Sequence, residues 1–248
     1  MNSKTAFVTG GSSAIGRHVA LGFARRGATV AVAAHRPEGA EATAEAVREL
    51  GGKAFPVLFD ARDPDAVREA VDEVADRFGG IDYAVNNVGG TLDISGNVVD
   101  LALDDWDTVM DLNLKAAWLC LKYELTHMQR AGHGAIVNNI GALGVRAVTG
   151  MSAYVAAKHA LVGLTKTAAL EAAPLGVRIN GVAPSMTVRN EPPDVKESRA
   201  AFAAQKIPLG RISEAEEAAQ CAVWLCSDEA SFVVGHVLVV DGGLTTTF

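Results

Sequence analysis

The chain has 248 residues, 49% of them hydrophobic and 21% charged, and its 22 Lys and Arg against 29 Asp and Glu give a net charge of −7. With no basic run, that balance argues against a nucleic-acid or anionic-membrane partner and leaves small molecules as the expected ligands. The length fits a single α/β domain over residues 1–248, long enough to bury a sizeable core and too short for a separate catalytic domain.

Met1-Asn2-Ser3-Lys4 runs directly into the apolar stretch from Thr5 to Val8 without an h-region, and no stretch approaches the roughly 18 apolar residues of a membrane span. The expectation is a cytoplasmic protein. Short apolar runs then alternate with stretches whose apolar residues recur every three or four positions, the β-α-β-α pattern. A first strand over Thr5–Thr9 ends in Thr9-Gly10-Gly11-Ser12-Ser13-Ala14-Ile15-Gly16 and enters a helix over Ile15–Arg26. Glycines there let the backbone turn tightly and approach a pyrophosphate at the positive end of the helix. Strands follow at Thr29–Ala33, Ala54–Phe59, Tyr83–Asn86, Ala135–Asn139, Arg178–Ala183 and Val237–Val240, each apolar enough to be covered on both faces. Between them lie helices near Glu38–Leu50, Pro64–Phe78, Leu103–Arg130, Ser152–Ala173 and Glu214–Cys226. The segment Pro184–Ile212, with Pro192-Pro193 and many charges, shows no clear period and reads as a mobile loop or substrate lid. Cys120, Cys221 and Cys226 are odd in number, lack C-x-x-C spacing and sit in apolar helical stretches, so they read as buried thiols; the scattered His make a metal site unexpected.

The glycine turn has the form T-G-x-x-x-G/A-x-G rather than G-x-G-x-x-G. Further along stand Asn86-Asn87-Val88-Gly89, Asn113 in Leu112-Asn113-Leu114, Tyr154-Val155-Ala156-Ala157-Lys158, Asn180 to Pro184, and Val240-Asp241-Gly242-Gly243. In this order and spacing the chain resembles the short-chain dehydrogenase/reductase family over essentially its whole length. The resemblance implies a doubly wound (Rossmann) fold, a seven-stranded parallel sheet with helices on both faces. It also implies that Gly10, Ser12, Ser13, Ile15, Gly16, Gly89 and Pro184 border a nicotinamide cofactor. Asp60 and Ala61 would contact adenine, Asn87 would lie against the adenosine ribose, and Thr187 would reach the carboxamide. The end of the second strand, Val32-Ala33-Ala34-His35-Arg36, has no acid to hold the ribose 2′-hydroxyl of NAD. Arg36, with His35, could instead pair with a 2′-phosphate, which favours NADP(H) over NAD(H); the alternative is that Arg36 only ends a surface loop.

Tyr154 and Lys158 are four apart and share a helix face. The ammonium of Lys158 would lower the phenol pKa from about 10, so that Tyr154 can protonate a carbonyl oxygen as hydride reaches carbon. Lys158 would also hold the nicotinamide ribose, and by resemblance Asn113 would anchor a water in a proton relay with it; the alternative is a structural Tyr/Lys pair. The family's serine, thirteen residues before the tyrosine, is here Gly141, a register fixed by Gly134 and Gly144. Loss of one such donor costs on the order of 10²–10³ in rate. Three replacements are open: an amide N–H or a water, the Asn139 side chain, or a different reaction. Ser152 faces elsewhere, and Met151 joins Gly141 and Asn139 as a pocket candidate. Pro184-Ser185 replaces the family's Pro-Gly and suggests an altered turn.

Three functions therefore compete. The first is an NADP(H)-dependent oxidoreductase acting on a carbonyl/alcohol pair or an imine, with Tyr154 as acid/base. The second is C=C reduction or cyclisation on the same site, and the third a redox-silent cofactor-binding protein. The resemblance further implies a homotetramer or homodimer through the two long central helices and the last strand. Specificity for the small-molecule substrate would lie in Thr91–Asp100, Leu143–Met151 and Pro184–Ile212.

Overall fold

Each apolar run forms a strand, and all seven join one parallel sheet in a computed structural model that describes residues 1–189 and 191–246. In chain order the elements are β1 (Thr5–Thr9), α1 (Ala14–Arg25), β2 (Thr29–Ala34), α2 (Pro37–Glu49), β3 (Lys53–Leu58), α3 (Pro64–Phe78) and β4 (Tyr83–Asn86). They continue with α4 (Leu103–Met110), α5 (Ala116–Ala131), β5 (Gly134–Asn139), α6 (Ser152–Ala172), β6 (Val177–Pro184), α7 (Pro193–Lys206), α8 (Ala215–Cys226) and β7 (Val237–Val240). The strand order is β3-β2-β1-β4-β5-β6-β7. The chain winds outward from β1 to β3, then crosses back to β4, so the order reverses between β1 and β4. That reversal leaves a crevice at the carboxyl ends of the strands, where Thr9 is level with Asn86.

Alternation along the strands divides the core. In β1, Ala6 and Val8 face one side with Val19, Phe23, Val30, Val47, Val223 and Leu225, beneath α1, α2 and α8. Phe7 faces the other with Phe59, Val71, Leu119, Ile136 and Ile179, beneath α3, α5 and α6. Burial on both faces is what the near-continuous apolar strands require.

Two expectations are corrected. The helix expected over Leu103–Arg130 is interrupted by a π turn at Asp111–Lys115, in which the N–H of Ala116 reaches Asp111 O five residues back. The segment Pro184–Ile212, read as lacking periodicity, contains the 14-residue helix α7, started by Pro193 and burying only Ala203. Arg199 ties α7 to its approach segment by donating to the Glu191 carboxylate and, at 2.9 Å, to Thr187 O. Among the described residues no helix is long and apolar enough to cross a membrane, and no His, Cys, Asp and Glu cluster could hold a metal. Cys120 and Cys226 are buried and Cys221 half-buried, and burial pushes the Cys226 thiol up to about 12.

Candidate active site

The glycine turn is built for backbone approach. Gly10 has φ +59°, and a Cβ on Gly16 would collide with the Gly10 carbonyl. Ser13 caps α1, its Oγ accepting from Gly16 N at 3.1 Å, and Ile15 packs against the core beside it. The turn is then braced from β4: Asn87 Nδ2 donates to Gly10 O (3.1 Å) and Ser13 Oγ (2.9 Å), and Asn87 N donates to Thr9 Oγ1 (3.0 Å). Asn87 Oδ1 in turn accepts from Asn139 Nδ2 at 2.7 Å. Its amide therefore makes three hydrogen bonds inside the protein. The last of these turns Asn139 away from the role of a substitute for the missing hydroxyl.

A hollow of about 300 Å³ beside the turn brings together Gly10, Ser12, His35, Asp60 and Ala61 with Ala34, Arg62, Val88, Leu92 and Leu112. Arg36 stays outside it, exposed at the start of α2, with no side-chain cap bond. Arg62, which sequence reasoning missed, grips Asp60 through Nε (3.0 Å) and Nη2 (2.7 Å) and holds that carboxyl below its usual range. The signal was an acid and an arginine two residues apart at a strand end. Leu92 was missed as well; it reaches the hollow from a left-handed backbone, φ +57°, unusual for its type.

On the other side of the crevice, α6 carries Tyr154 and Lys158 on one face, with Nζ 5.7 Å from the phenol ring centroid. Lys158 is 3% exposed and donates to Asn139 O at 3.0 Å. Burial draws its pKa down from 10.5 to about 8 and holds the Tyr154 phenol above its ordinary value. The depressed phenol pKa expected from sequence is thus absent: the amine lies over the ring face, and desolvation outweighs its field. The Tyr154 hydroxyl has no hydrogen-bond partner among the described residues. Gly89 lies against this pair, for a Cβ there would stand 2.7 Å from Asn113 Oδ1 and 3.2 Å from Lys158 Nζ. Asn113, fully buried in the π turn, accepts from Gly90 N and donates to Gly90 O, both at 2.9 Å, and to Val109 O at 3.0 Å. Both hydrogens of its amide are thus spent on backbone carbonyls.

Gly141 sits where a Cβ would point at Tyr154 Oη, 3.6 Å away, with Pro184 O at 3.9 Å. Its backbone, φ +77° and ψ 154°, is one that essentially only glycine adopts. A serine does not fit this backbone as it stands, so the missing hydroxyl is matched by a local conformation and not by residue type alone. Ser185 keeps its N–H on Val240 O at 3.2 Å, and Thr187 bridges to Ser213 beyond it. Met151 precedes α6 and bridges Gly96, which joins two of the three expected specificity segments. Ser152 lines a separate hollow with Val98, Leu101, Leu103 and Trp106.

A glycine cradle at a helix N-terminus and a hollow beside it stand at the carboxyl ends of the strands, with the Tyr/Lys pair across the switch point. A family profile described as Enoyl-(Acyl carrier protein) reductase matches residues 10–245. The chain is 38% identical to a cyclohexanol dehydrogenase of an Acinetobacter strain over 99% of its length and 96% of that protein's. It is 40% identical to a cis-4-hydroxycyclohexanecarboxylate dehydrogenase of Sinomonas cyclohexanicum, over 98% and 96%. It is 35% identical to a 3-oxoacyl-(acyl-carrier-protein) reductase of Thermotoga maritima, over 98% of each. The crystal structure of a levodione reductase superposes with a TM-score of 0.94 at 31% identity, covering 100% of both chains. The chain belongs to the short-chain dehydrogenase/reductase family of nicotinamide-dependent oxidoreductases.

Proposed function

We propose that the protein interconverts an alicyclic secondary alcohol and its ketone with NADP(H), Tyr154 acting as general acid/base. The observation that carries this reading is the unpartnered Tyr154 hydroxyl beside the buried Lys158 amine, at the open end of a braced glycine cradle. When bound, the nicotinamide supplies or accepts the hydride. The cradle suits such a group: Gly10, Ser12, Ser13 and Gly16 present backbone at a helix N-terminus, and the adjoining hollow has the size and mixed lining of a nucleoside site. Burial keeps Tyr154 protonated, so its hydroxyl can donate to a substrate oxygen in the reductive direction, and Lys158, held on Asn139 O, favours the tyrosinate left behind. Asn113 holds Gly90 and so shapes the wall beside Lys158. His35 and Arg36 just after β2, Arg36 without an ion-pair partner among the described residues and with no acid at the strand's end, support a 2′-phosphate and hence NADP(H) over NAD(H).

The ring class of substrate rests on relatives whose names specify cyclohexane alcohols, and α7 would close over the site as its lid. The exposed Trp118 and Leu170 on α5 and α6 support association of those helices in a homotetramer or homodimer. Tyr154→Phe is expected to lower cyclohexanone reduction at least about 10³-fold while NADPH affinity changes less than about twofold; retained turnover refutes the role. A second reading, C=C reduction, is favoured by the absent hydroxyl at Gly141 and by the description of the matching family profile. A 2-cyclohexenone assay separates them by whether the saturated ketone or the allylic alcohol forms.

A further inference from the structure

We infer that Asn139 is a positioning residue that locks the cofactor turn to the strand holding Lys158, and so sets cofactor affinity. This rests on the reading of that turn as the nicotinamide-cofactor cradle. The hydrogen bonds fix which way each amide faces. Gly10 O can only accept, so the amide of Asn87 must turn its Nδ2 toward Gly10 O and Ser13 Oγ. Asn87 Oδ1 then faces Asn139, 2.7 Å away, and position 139 must supply a donor. Asn87 is 8% exposed, so without that donor its oxygen stays nearly dry and unpaired.

The backbone of Asn139 serves the other side of the crevice. It is the last residue of β5, level with Val182 of β6, and its carbonyl accepts from Lys158 Nζ at 3.0 Å. One residue thus touches both the glycine turn, through Asn87, and the amine beside Tyr154. Strand alternation explains why two asparagines stand in succession. Asn138 points to the opposite face, where it donates to Thr165 Oγ1 (2.9 Å) and accepts from Asn86 Nδ2 (3.1 Å), bracing the core. Only Asn139 addresses the crevice.

Fluorescence titration with NADPH and with NADH tests this on the wild type, Asn139→Leu, Asn139→Asp, Asn87→Ala and the double variant Asn87→Ala/Asn139→Leu. Asn139→Leu, similar in volume but without a donor, is expected to weaken binding about tenfold. Asn139→Asp, which sets an acceptor against an acceptor, is expected to weaken it further. In the Asn87→Ala background the Leu substitution should add less than about twofold, because the partner is already gone. The KM for ketone should move less than about twofold in each single variant at position 139, a split that a purely structural role would not produce. Affinity within twofold of wild type in folded Asn139→Leu overturns the proposal, as do losses that multiply independently in the double variant. If Asn139→Leu does not fold, Asn139→Val, which also lacks a donor, carries the same comparison. A wild type that binds neither nucleotide overturns the functional reading and this inference together, whereas normal wild-type binding with unaffected variants overturns this inference alone.

Discussion

Around the glycine turn, Thr9, Ser13, Asn87 and Asn139 direct their hydrogen bonds at one another and at Gly10, whereas across the crevice on α6 the Tyr154 hydroxyl has no partner among the described residues. The first side is a rigid seat whose geometry is set before any ligand arrives. The second leaves the half-buried Tyr154 hydroxyl uncommitted beside Lys158, which is held on Asn139 O, with Gly141 leaving room above the phenol. Rigid placement suits a cofactor common to every turnover, and free donors suit a substrate that must gain and lose a proton. The same contrast appears between two buried ionisable groups. Lys158 faces the crevice and is drawn down to about 8, while Glu124, in the core, is pushed up to about 8 by burial, opposed by a 3.0 Å hydrogen bond from Asn86.

The largest effect expected on this contrast is from Lys158→Met. Reductive kcat/KM should fall roughly 10³-fold, yet calorimetry should show a higher Tm because a desolvated cation has been removed. In the wild type, the reductive rate should decline as pH rises through about 8, where Lys158 loses its proton. Its folded-state pKa lies below the ordinary 10.5, so the unfolded chain binds more protons between about 8 and 10.5 and stability rises with pH there.

Glu124 has the opposite sign. Its folded-state pKa is above the ordinary 4.5, so the native state holds the extra proton, and stability falls as pH rises from 4.5 through about 8. Unfolding free energies from urea titrations at pH 5 and pH 8.5 should differ by a few kcal/mol in the wild type and much less in Glu124→Gln, which keeps the acceptor for Asn86 without the titration. Equal slopes would mean that the carboxyl is not buried.

Gly141→Ser sharpens the contrast on the open side. Because φ there is +77°, the substitution should cost about 1–3 kcal/mol of stability and give no large gain on simple ketones; a marked gain would show that the loop readily adopts the backbone a serine needs. The smallest effect concerns the seat. Arg36→Ala should weaken NADPH binding about tenfold and leave NADH unchanged, as read by paired titrations, and equal losses for both would remove the 2′-phosphate assignment.

Much of the fold was legible in the sequence, because its signals are local: β1, β4, β7 and α3 have the bounds read from apolar runs and their period. Gly10, Ser12, His35, Asp60 and Ala61 do converge on one hollow. The motif named Asn87 but not its partners in the glycine turn and on β5, since a side chain's partners lie across strands and leave no trace in spacing. The π turn was invisible because an added residue per turn barely disturbs apolar periodicity over five residues. Helix α7 was missed because it buries almost nothing, so it has no apolar stripe to detect. Gly141 was identified as an absence, but the conformation that makes it a glycine had no signature of its own.

The central claim is that hydride passes between substrate carbon and nicotinamide while Tyr154 handles the proton. Cyclohexanol carrying deuterium on the carbinol carbon, incubated with NADP⁺ and wild type or Tyr154→Phe, tests it by mass spectrometry of the reduced cofactor. The account predicts one deuterium per reduced cofactor with the wild type and none formed above background with Tyr154→Phe. Reduced cofactor without deuterium, or equal labelling by both proteins, would contradict it.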